Sequence, residues 1–355
     1  MLKSRVSSAR EHLERLGLEA LVFFGLPGIR YLTGFTGSDG VLVLSLEEAC
    51  FLTDSRYTEQ AAQETSGVMV REYRGKSEGV AELVREWKVT RIGIEAEHAT
   101  VALYQALGNA LAGVALIPVG AELDDLRRVK DCKEVKLIAE CADLASSAFL
   151  AILDEIQPGA VERDIALSLE LAMKKAGADD KSFDFIVASG TRGALPHGKA
   201  STKTISDGEL VTVDFGAVLQ GYCSDETVTV AVGEPNARQR EVYQVVKEAH
   251  DRALDAIRPG VSLKHLDSLA RTFIEKKGFG KYFGHGLGHG VGLEVHEKPV
   301  VSYKSEGLVE EGMVFTVEPG IYIPNWGGVR IEDTVMVTGD GCQILTKVSK
   351  ELMVL

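Results

Sequence analysis

The stretch GELVTVDFGAVLQGYCSDETVTVAV, residues 208–232, decides how the chain is to be read. Apolar and polar residues alternate on both sides of residues 219–221, a pattern that predicts two strands joined as a β-hairpin. Side chains alternate faces along a strand, so Thr212, Asp214 and Gly216 share one face while Val211, Val213 and Phe215 share the other. On the returning strand Asp225, Thr227 and Thr229 lie together, and Val228, Val230 and Val232 oppose them. A turn at 219–220 sets Asp214 directly opposite Asp225; a turn at 220–221 makes them diagonal neighbours, within ~8 Å. Either register puts two carboxylates on one face of a sheet whose other face is apolar.

The same plan returns in residues 312–338, GMVFTVEPGIYIPNWGGVRIEDTVMVT. Gly208, Thr212, Val213, Asp214 and Gly216 recur 104 positions later as Gly312, Thr316, Val317, Glu318 and Gly320. Glu318 and Glu332 are symmetric about Asn325, the centre of a Pro-Asn-Trp-Gly-Gly turn, and are expected to meet across the sheet. Thr316, Glu318, Arg330, Glu332 and Thr334 then share a face. Upstream, LDEIQPG (153–159) is echoed 101 residues on by LDAIRPG (254–260). A period this long is not that of a solenoid. It implies a duplicated half-domain, each half a helix ending at Pro-Gly, a second helix and an acid-bearing hairpin.

With 355 residues the chain has room for two domains. Residues 1–122 read as a small three-layer α/β domain. Strands are predicted at 20–25, 41–44, 50–53, 68–73 and 91–96, and helices at 1–17, 55–64, 78–88 and 101–112, with VALIPVG (114–120) closing the domain. The segment YLTGFTGSDG (31–40) reads as a loop too long for a plain turn, either an irregular surface loop or one that reaches a neighbouring active site. Residues 121–131 form a linker, and 123–355 make an α+β domain. Its helices fall at 132–156, 162–175, 237–257 and 263–277, and a strand at 183–190 precedes the first hairpin. The net charge of −13 disfavours a nucleic-acid or anionic-membrane partner. Five cysteines without CxxC pairing suit a reduced, cytoplasmic setting. The charged N-terminus is not a signal peptide, and no run approaches the ~18 apolar residues of a membrane span.

Asp214, Asp225, Glu318 and Glu332 occupy matching positions of a duplicated fold, so packing about a pseudo-twofold axis gathers all four. Like charges in a partly buried site do not stay ionised without compensation. Two divalent cations supply +4 against −4. Oxygen ligands suit Mn²⁺ or Fe²⁺, and an added imidazole admits Co²⁺ or Zn²⁺. His285, His289 and His296 stand in the stretch GHGLGHGVGLEVHE (284–297), whose glycines argue for extended or looped backbone rather than helix. His197, in ALPHGKAS, is a further candidate.

VDFG with SDET, HGLGHGVGLEVHE, VEPG and VRIED together resemble the metal-binding set of the pita-bread metallopeptidases, in particular the Xaa-Pro peptidases (aminopeptidase P and prolidase). FFGLPGIRYLTGFTGSDG and LTDSRY resemble that branch's creatinase-like N-terminal domain. The resemblance spans essentially the whole chain. It implies a creatinase-like domain (1–122) and a pita-bread catalytic domain (123–355) in which Asp214, Asp225, His289, Glu318 and Glu332 bind two metals. Asp225 and Glu332 would bridge or chelate. His197, His285 and His296 would surround the substrate, with Arg330 beside the bridging acids and Glu318 relaying a proton to the leaving nitrogen. A homodimer is also implied, with loop 31–40 near the partner subunit's site.

Two positions depart from the family pattern. Val228 stands where relatives commonly carry Arg, but alternation points it away from the acids. Val300 stands where prolidases carry an Arg that holds the substrate carboxylate. Unless Lys298 or Lys304 substitutes, its loss tilts the expectation from dipeptidase towards aminopeptidase P. Creatinase lacks this ligand set, the non-catalytic pita-bread binding proteins have usually lost ligands, and methionine aminopeptidases generally lack the N-terminal domain.

Overall fold

The computed structural model describes residues 2–120 and 122–355. Met1, where the first expected helix begins, and Ala121, the first linker residue, lie outside the described residues. The chain divides into two compact units, Met1–Arg127 and Arg128–Leu355.

In the first unit α1 (Leu2–Arg15), β1 (Ala20–Phe23), α2 (Leu26–Thr33), β2 (Val41–Ser45), β3 (Ala49–Thr53) and α3 (Thr58–Glu64) come first. They are followed by β4 (Met69–Glu72), α4 (Lys76–Glu86), β5 (Arg91–Glu95), α5 (Val101–Ala110) and β6 (Ala115–Val119). The strands form one mixed sheet in the order β4-β3-β2-β1-β5-β6. Every residue of β1, β2 and β3 is buried, so both sheet faces are covered. Val80, Val84 and Leu107 of α4 and α5 pack against one face, and the Phe35 ring lies 4.5 Å from that of Phe51. The expected loop at 31–40 starts later than its composition suggested, because Tyr31, Leu32 and Thr33 close α2. Pro27 in the first turn and Gly34, left-handed at φ 87°, are ordinary helix start and stop signals.

The second unit runs α6 (Cys132–Ala151), α7 (Glu162–Ala176), β7 (Asp180–Lys181), β8 (Ile186–Ser189), β9 (Glu209–Phe215), β10 (Ala217–Leu219), β11 (Tyr222–Cys223) and β12 (Glu226–Val232). After α8 (Ala237–Ala256) and α9 (Leu263–Lys276) come β13 (Gly288–Gly290), β14 (Glu297–Val301), β15 (Val314–Val317), β16 (Gly320–Ile323), β17 (Gly327–Arg330), β18 (Asp333–Val337) and β19 (Cys342–Ile344). The apolar face of the first hairpin packs on α6 and α7, with Phe149 stacked on Phe215 at 5.0 Å between ring centres. That of the second packs on α8 and α9, where Phe315, Val317 and Val335 meet Val246, Leu266 and Ile274. The first helix of each half opens with a capping box, Asp131 with Glu134 and Asn236 with Gln239. Such a cap contributes about 1 kcal/mol.

The first hairpin keeps one register throughout, pairing Asp214 with Thr227 and Leu219 with Tyr222. Its turn is Gln220-Gly221, with φ of 47° and 76°, the two-residue turn whose twist suits a hairpin. Asp225 is therefore diagonal to Asp214, the second of the two expected registers. The hairpin does not stay in one sheet. At Gly216 it passes from the sheet β12-β9-β8 into β11-β10-β7, and a Cβ on Gly216 would stand 2.0 Å from the Ser224 carbonyl oxygen.

The second hairpin also holds one register, Val317 with Asp333 and Gly320 with Arg330. Its ladder opens at the acids, where Pro319 has no N–H to offer. The Glu318 amide donates instead to Leu287 O (2.8 Å) and the Glu332 amide to Thr227 O (3.1 Å). Glu318 and Glu332 thus meet in register but without ladder bonds between them, and Glu332 is tied to the first hairpin.

Candidate metal centre

Asp214 lies near the end of β9, Asp225 just before β12, His289 in the middle of β13, Glu318 just after β15 and Glu332 just before β18. All five line one cavity of about 510 Å³, and His197, His285, His296 and Arg330 line it too. Every site residue expected from the sequence is brought there. The glycines around His289 have a steric cause. A Cβ on Gly288 would lie 1.9 Å from Thr316 O, and one on Gly290 2.2 Å from Lys298 O, so β13 fits between its neighbours only without side chains at these positions.

Three of the acids are each held by one oxygen. Buried Arg330 donates from Nη2 to Asp214 Oδ2 (2.6 Å), Thr227 Oγ1 to Glu332 Oε2 (2.6 Å), and Thr316 Oγ1 to Glu318 Oε1 (3.1 Å). Asp214 Oδ1 and Glu332 Oε1 are buried without a hydrogen bond, a state that calls for a missing partner. His289 is turned towards these acids. Its Nδ1 lies 3.2 Å from Gly290 O, which can only accept, so Nδ1 carries the hydrogen. Nε2 then faces Glu318 Oε1 at 3.3 Å and Asp225 Oδ2 at 3.6 Å. Ligand atoms of Asp225, His289 and Glu332 all lie within 4.8 Å of one another.

The electrostatics agree. Burial, then the charges of Glu332, Asp214 and Glu318, hold the Asp225 carboxyl well above its ordinary range. Burial, then Glu318 and Asp214, do the same to Glu332. Burial raises Asp214 as well, with Arg330 working against it. For Glu318 burial is outweighed by the His289 hydrogen bond and charge, and its carboxyl is lowered. The acids cannot all ionise together unless cations join them. Bare carboxylate oxygens plus one imidazole nitrogen, oriented through a carbonyl on its other side, fit divalent metal ions.

The surrounding residues orient this set. His285 Nδ1 donates to Gly286 O (2.8 Å), so Nε2 accepts from the Tyr322 hydroxyl (2.9 Å), which itself accepts from Arg330 Nη1 (3.0 Å). Both nitrogens of His285 are thereby engaged within the protein, and burial lowers its pKa. Sequence reading passed over Tyr322, although alternation from Glu318 through Gly320 sets it on the site face. Arg330 Nη1 also donates to Pro196 O (3.0 Å), beside His197. The loop bearing His197 is pinned by Glu162, fully buried at the start of α7, which accepts from the amides of Ser189 (2.8 Å) and Ser201 (3.1 Å) and pairs with Arg192. Asp267 of α9 does the equivalent for the loop bearing His285, accepting from the Leu287 amide (3.1 Å) and from Arg271, which donates to His285 O (2.6 Å). The His296 ring lies 4.1 Å from that of His289; burial, then the charge of His289, lowers its pKa.

A duplicated α+β unit closing four carboxylates and a histidine over one cavity, preceded by an α/β unit, defines a metallohydrolase of the pita-bread class. Metallopeptidase family M24 matches residues 136–339 and the creatinase/prolidase N-terminal domain matches residues 5–129. The chain belongs to metallopeptidase family M24. It is 39% identical to an Xaa-Pro dipeptidase of Pyrococcus horikoshii over 99% of both chains. The solved structure of an Xaa-Pro dipeptidase from Bacillus anthracis superimposes with a TM-score of 0.97 at 42% identity, covering 100% of each chain. That of an X-Pro aminopeptidase from Thermotoga maritima gives 0.88 at 41% identity, covering 96% of this chain and 99% of the other. No described helix is long and apolar enough to cross a membrane.

Proposed function

We propose that this chain is an Xaa-Pro dipeptidase that hydrolyses the bond before proline. Two divalent cations would be held by Asp214, Asp225, His289, Glu318 and Glu332. The observation that carries the metal reading is the pair of buried, unpartnered oxygens, Asp214 Oδ1 and Glu332 Oε1, beside the His289 Nε2 that faces Glu318 and Asp225. When bound, the cations supply Lewis acidity and a lowered pKa for water near neutrality. Mn²⁺, Co²⁺ and Zn²⁺ suit the donor set, and Fe²⁺ is admitted by it.

The protein's own residues do the rest. His296, neutral through burial, and His197 at the cavity wall hold the charge that grows on the carbonyl oxygen. Glu318 moves the proton to the leaving proline nitrogen. Arg330 fixes Asp214 and the 196–197 backbone, and the Tyr322 hydroxyl fixes His285 as part of the wall. The dipeptidase names of the Pyrococcus and Bacillus anthracis relatives support dipeptides as substrates. Val300, exposed at the cavity in the position where prolidases carry an anchoring arginine, favours the aminopeptidase P-like reading on longer peptides. We place the enzyme in the cytoplasm as a homodimer, with segment 31–40 near the partner subunit's site; light scattering that gives a fully active monomer removes the dimer.

The deciding assay compares Gly-Pro-type dipeptides with Xaa-Pro tripeptides after chelation and add-back of Mn²⁺, Co²⁺ or Zn²⁺. Faster dipeptide turnover, dependent on added metal, is expected. Tripeptide preference would transfer the assignment to aminopeptidase P, and undiminished activity after complete chelation would end the metal reading. Reloading with metal at a hundredfold over Kd should also stabilise the fold by about 2.7 kcal/mol for each ion bound.

A further inference from the structure

The second acid of each hairpin is followed at once by another: Asp225-Glu226-Thr227 and Glu332-Asp333-Thr334. Strand alternation sends Glu226 and Asp333 to the faces opposite Asp225 and Glu332. Both are buried, at 1% and 4% exposure, and neither lines the cavity. The same lysine serves both. Lys350 Nζ lies 2.5 Å from Glu226 Oε1 and 3.4 Å from Asp333 Oδ1, with its side chain 6% exposed. The remaining contacts tie this pair into the frame. Glu226 accepts from Ser146 Oγ of α6 (2.5 Å) and from the Val348 amide (3.1 Å). Asp333 accepts from Thr346 Oγ1 (2.5 Å), and its other oxygen lies 3.2 Å from His250 Nε2 of α8. Lys350 is itself held, its carbonyl accepting from the Tyr243 hydroxyl (3.0 Å).

Lys350 therefore adds a charged tie between the two halves of the duplication, one residue beyond each of the acids expected to bridge the metals and beside the hydrogen bonds of Thr227 to Glu332 and of Thr334 Oγ1 to Asp225 O (2.7 Å). We propose that Lys350 is a positioning residue of the metal centre: by clamping Glu226 to Asp333 it fixes the spacing of Asp225 and Glu332, and so lets the site hold two cations instead of one. This inference rests on the two-metal reading above. A lysine that merely neutralised two buried acids would be dispensable once those acids were made neutral, whereas a clamp would not.

The test measures Mn²⁺ binding to the full chain by calorimetry and by electron paramagnetic resonance, which separates a spin-coupled Mn²⁺ pair from isolated ions. Two Mn²⁺ per wild-type chain are expected; fewer would overturn the two-metal reading itself, whatever Lys350 does. Lys350→Met should retain the tighter ion, weaken the second by roughly tenfold or more, and show isolated-ion signals at limiting Mn²⁺. The triple variant Lys350→Met, Glu226→Gln, Asp333→Asn carries no uncompensated buried charge; it should regain thermal stability but not second-ion affinity. Wild-type affinity for both ions in the single variant, or its return in the triple, overturns the proposal. Should neither variant fold, Glu226→Gln alone, which keeps the lysine, decides: a severalfold weaker second ion supports the clamp and an unchanged one overturns it.

Discussion

The two halves of the second unit carry matching acids on matching strands, yet they differ at one telling position. In the first half β8 sets Ala188 opposite Thr212. In the second, the register that pairs Gly290 with Phe315 brings His289 beside Thr316, the counterpart of Thr212, and the His289 amide donates to Thr316 Oγ1 (3.1 Å). One half thus fills this place with an imidazole. The other leaves it small, and the loop bearing His197 occupies the room: a Cβ on Gly198 would come within 3.4 Å of the Ala188 Cβ. Duplication supplies the four acids, and departure from it places an imidazole on one side of the cavity and the loop bearing His197 on the other.

Variants that act on both halves alike should do the most damage. Asp225→Asn and Glu332→Gln each are expected to abolish paired metal loading and to cut turnover below about 10⁻³ of wild type, with circular dichroism unchanged; full turnover by either refutes the ligand assignment. Removing the asymmetry from the second half comes next. His289→Ala makes β13 resemble β8 and should cost more than the roughly 10–100-fold typical of losing an outer partner of a metal site; metal analysis and kcat together check it.

The reverse change is milder. Ala188→His crowds Gly198, should destabilise by about 1–3 kcal/mol, and should raise KM through the displaced His197 loop while metal content stays at the wild-type level. A variant with lost metal and unchanged KM would contradict the packing account. The smallest effect belongs to Val300, the cross-strand neighbour of His289. Val300→Arg adds a charged contact worth about 1.5 kcal/mol, so KM for Gly-Pro should fall about tenfold with that for a tripeptide unaffected. Equal gains on both substrates would mean that the position does not read the terminal carboxylate.

Strand alternation and the 104-residue echo made both acid pairs legible before any coordinates, because a period of two leaves a side chain little choice of face. The histidines were marked by their glycines, of which Gly288 and Gly290 are demanded by contacts under 2.5 Å with neighbouring backbone. What escaped was tertiary. The opening of the second ladder at Glu318 depends on Leu287 and Thr227, far away in sequence. Tyr322 matters through Arg330 and His285, a linkage visible only when three elements meet. In the first unit, a glycine- and threonine-rich composition hid the end of α2, though Pro27 and Gly34 bracketed it.

Gly216 carries a last consequence. As the crease at which the first hairpin folds from one sheet to the next, it works as a mechanical stop between strands that bear Asp214 and Asp225. A methyl group there would wedge against the Ser224 carbonyl and prise the strands apart. Gly216→Ala would thus blunt the enzyme with every ligand still in the sequence, a reminder that a complete set of metal-binding residues says nothing of a working site unless the backbone beneath it can bend.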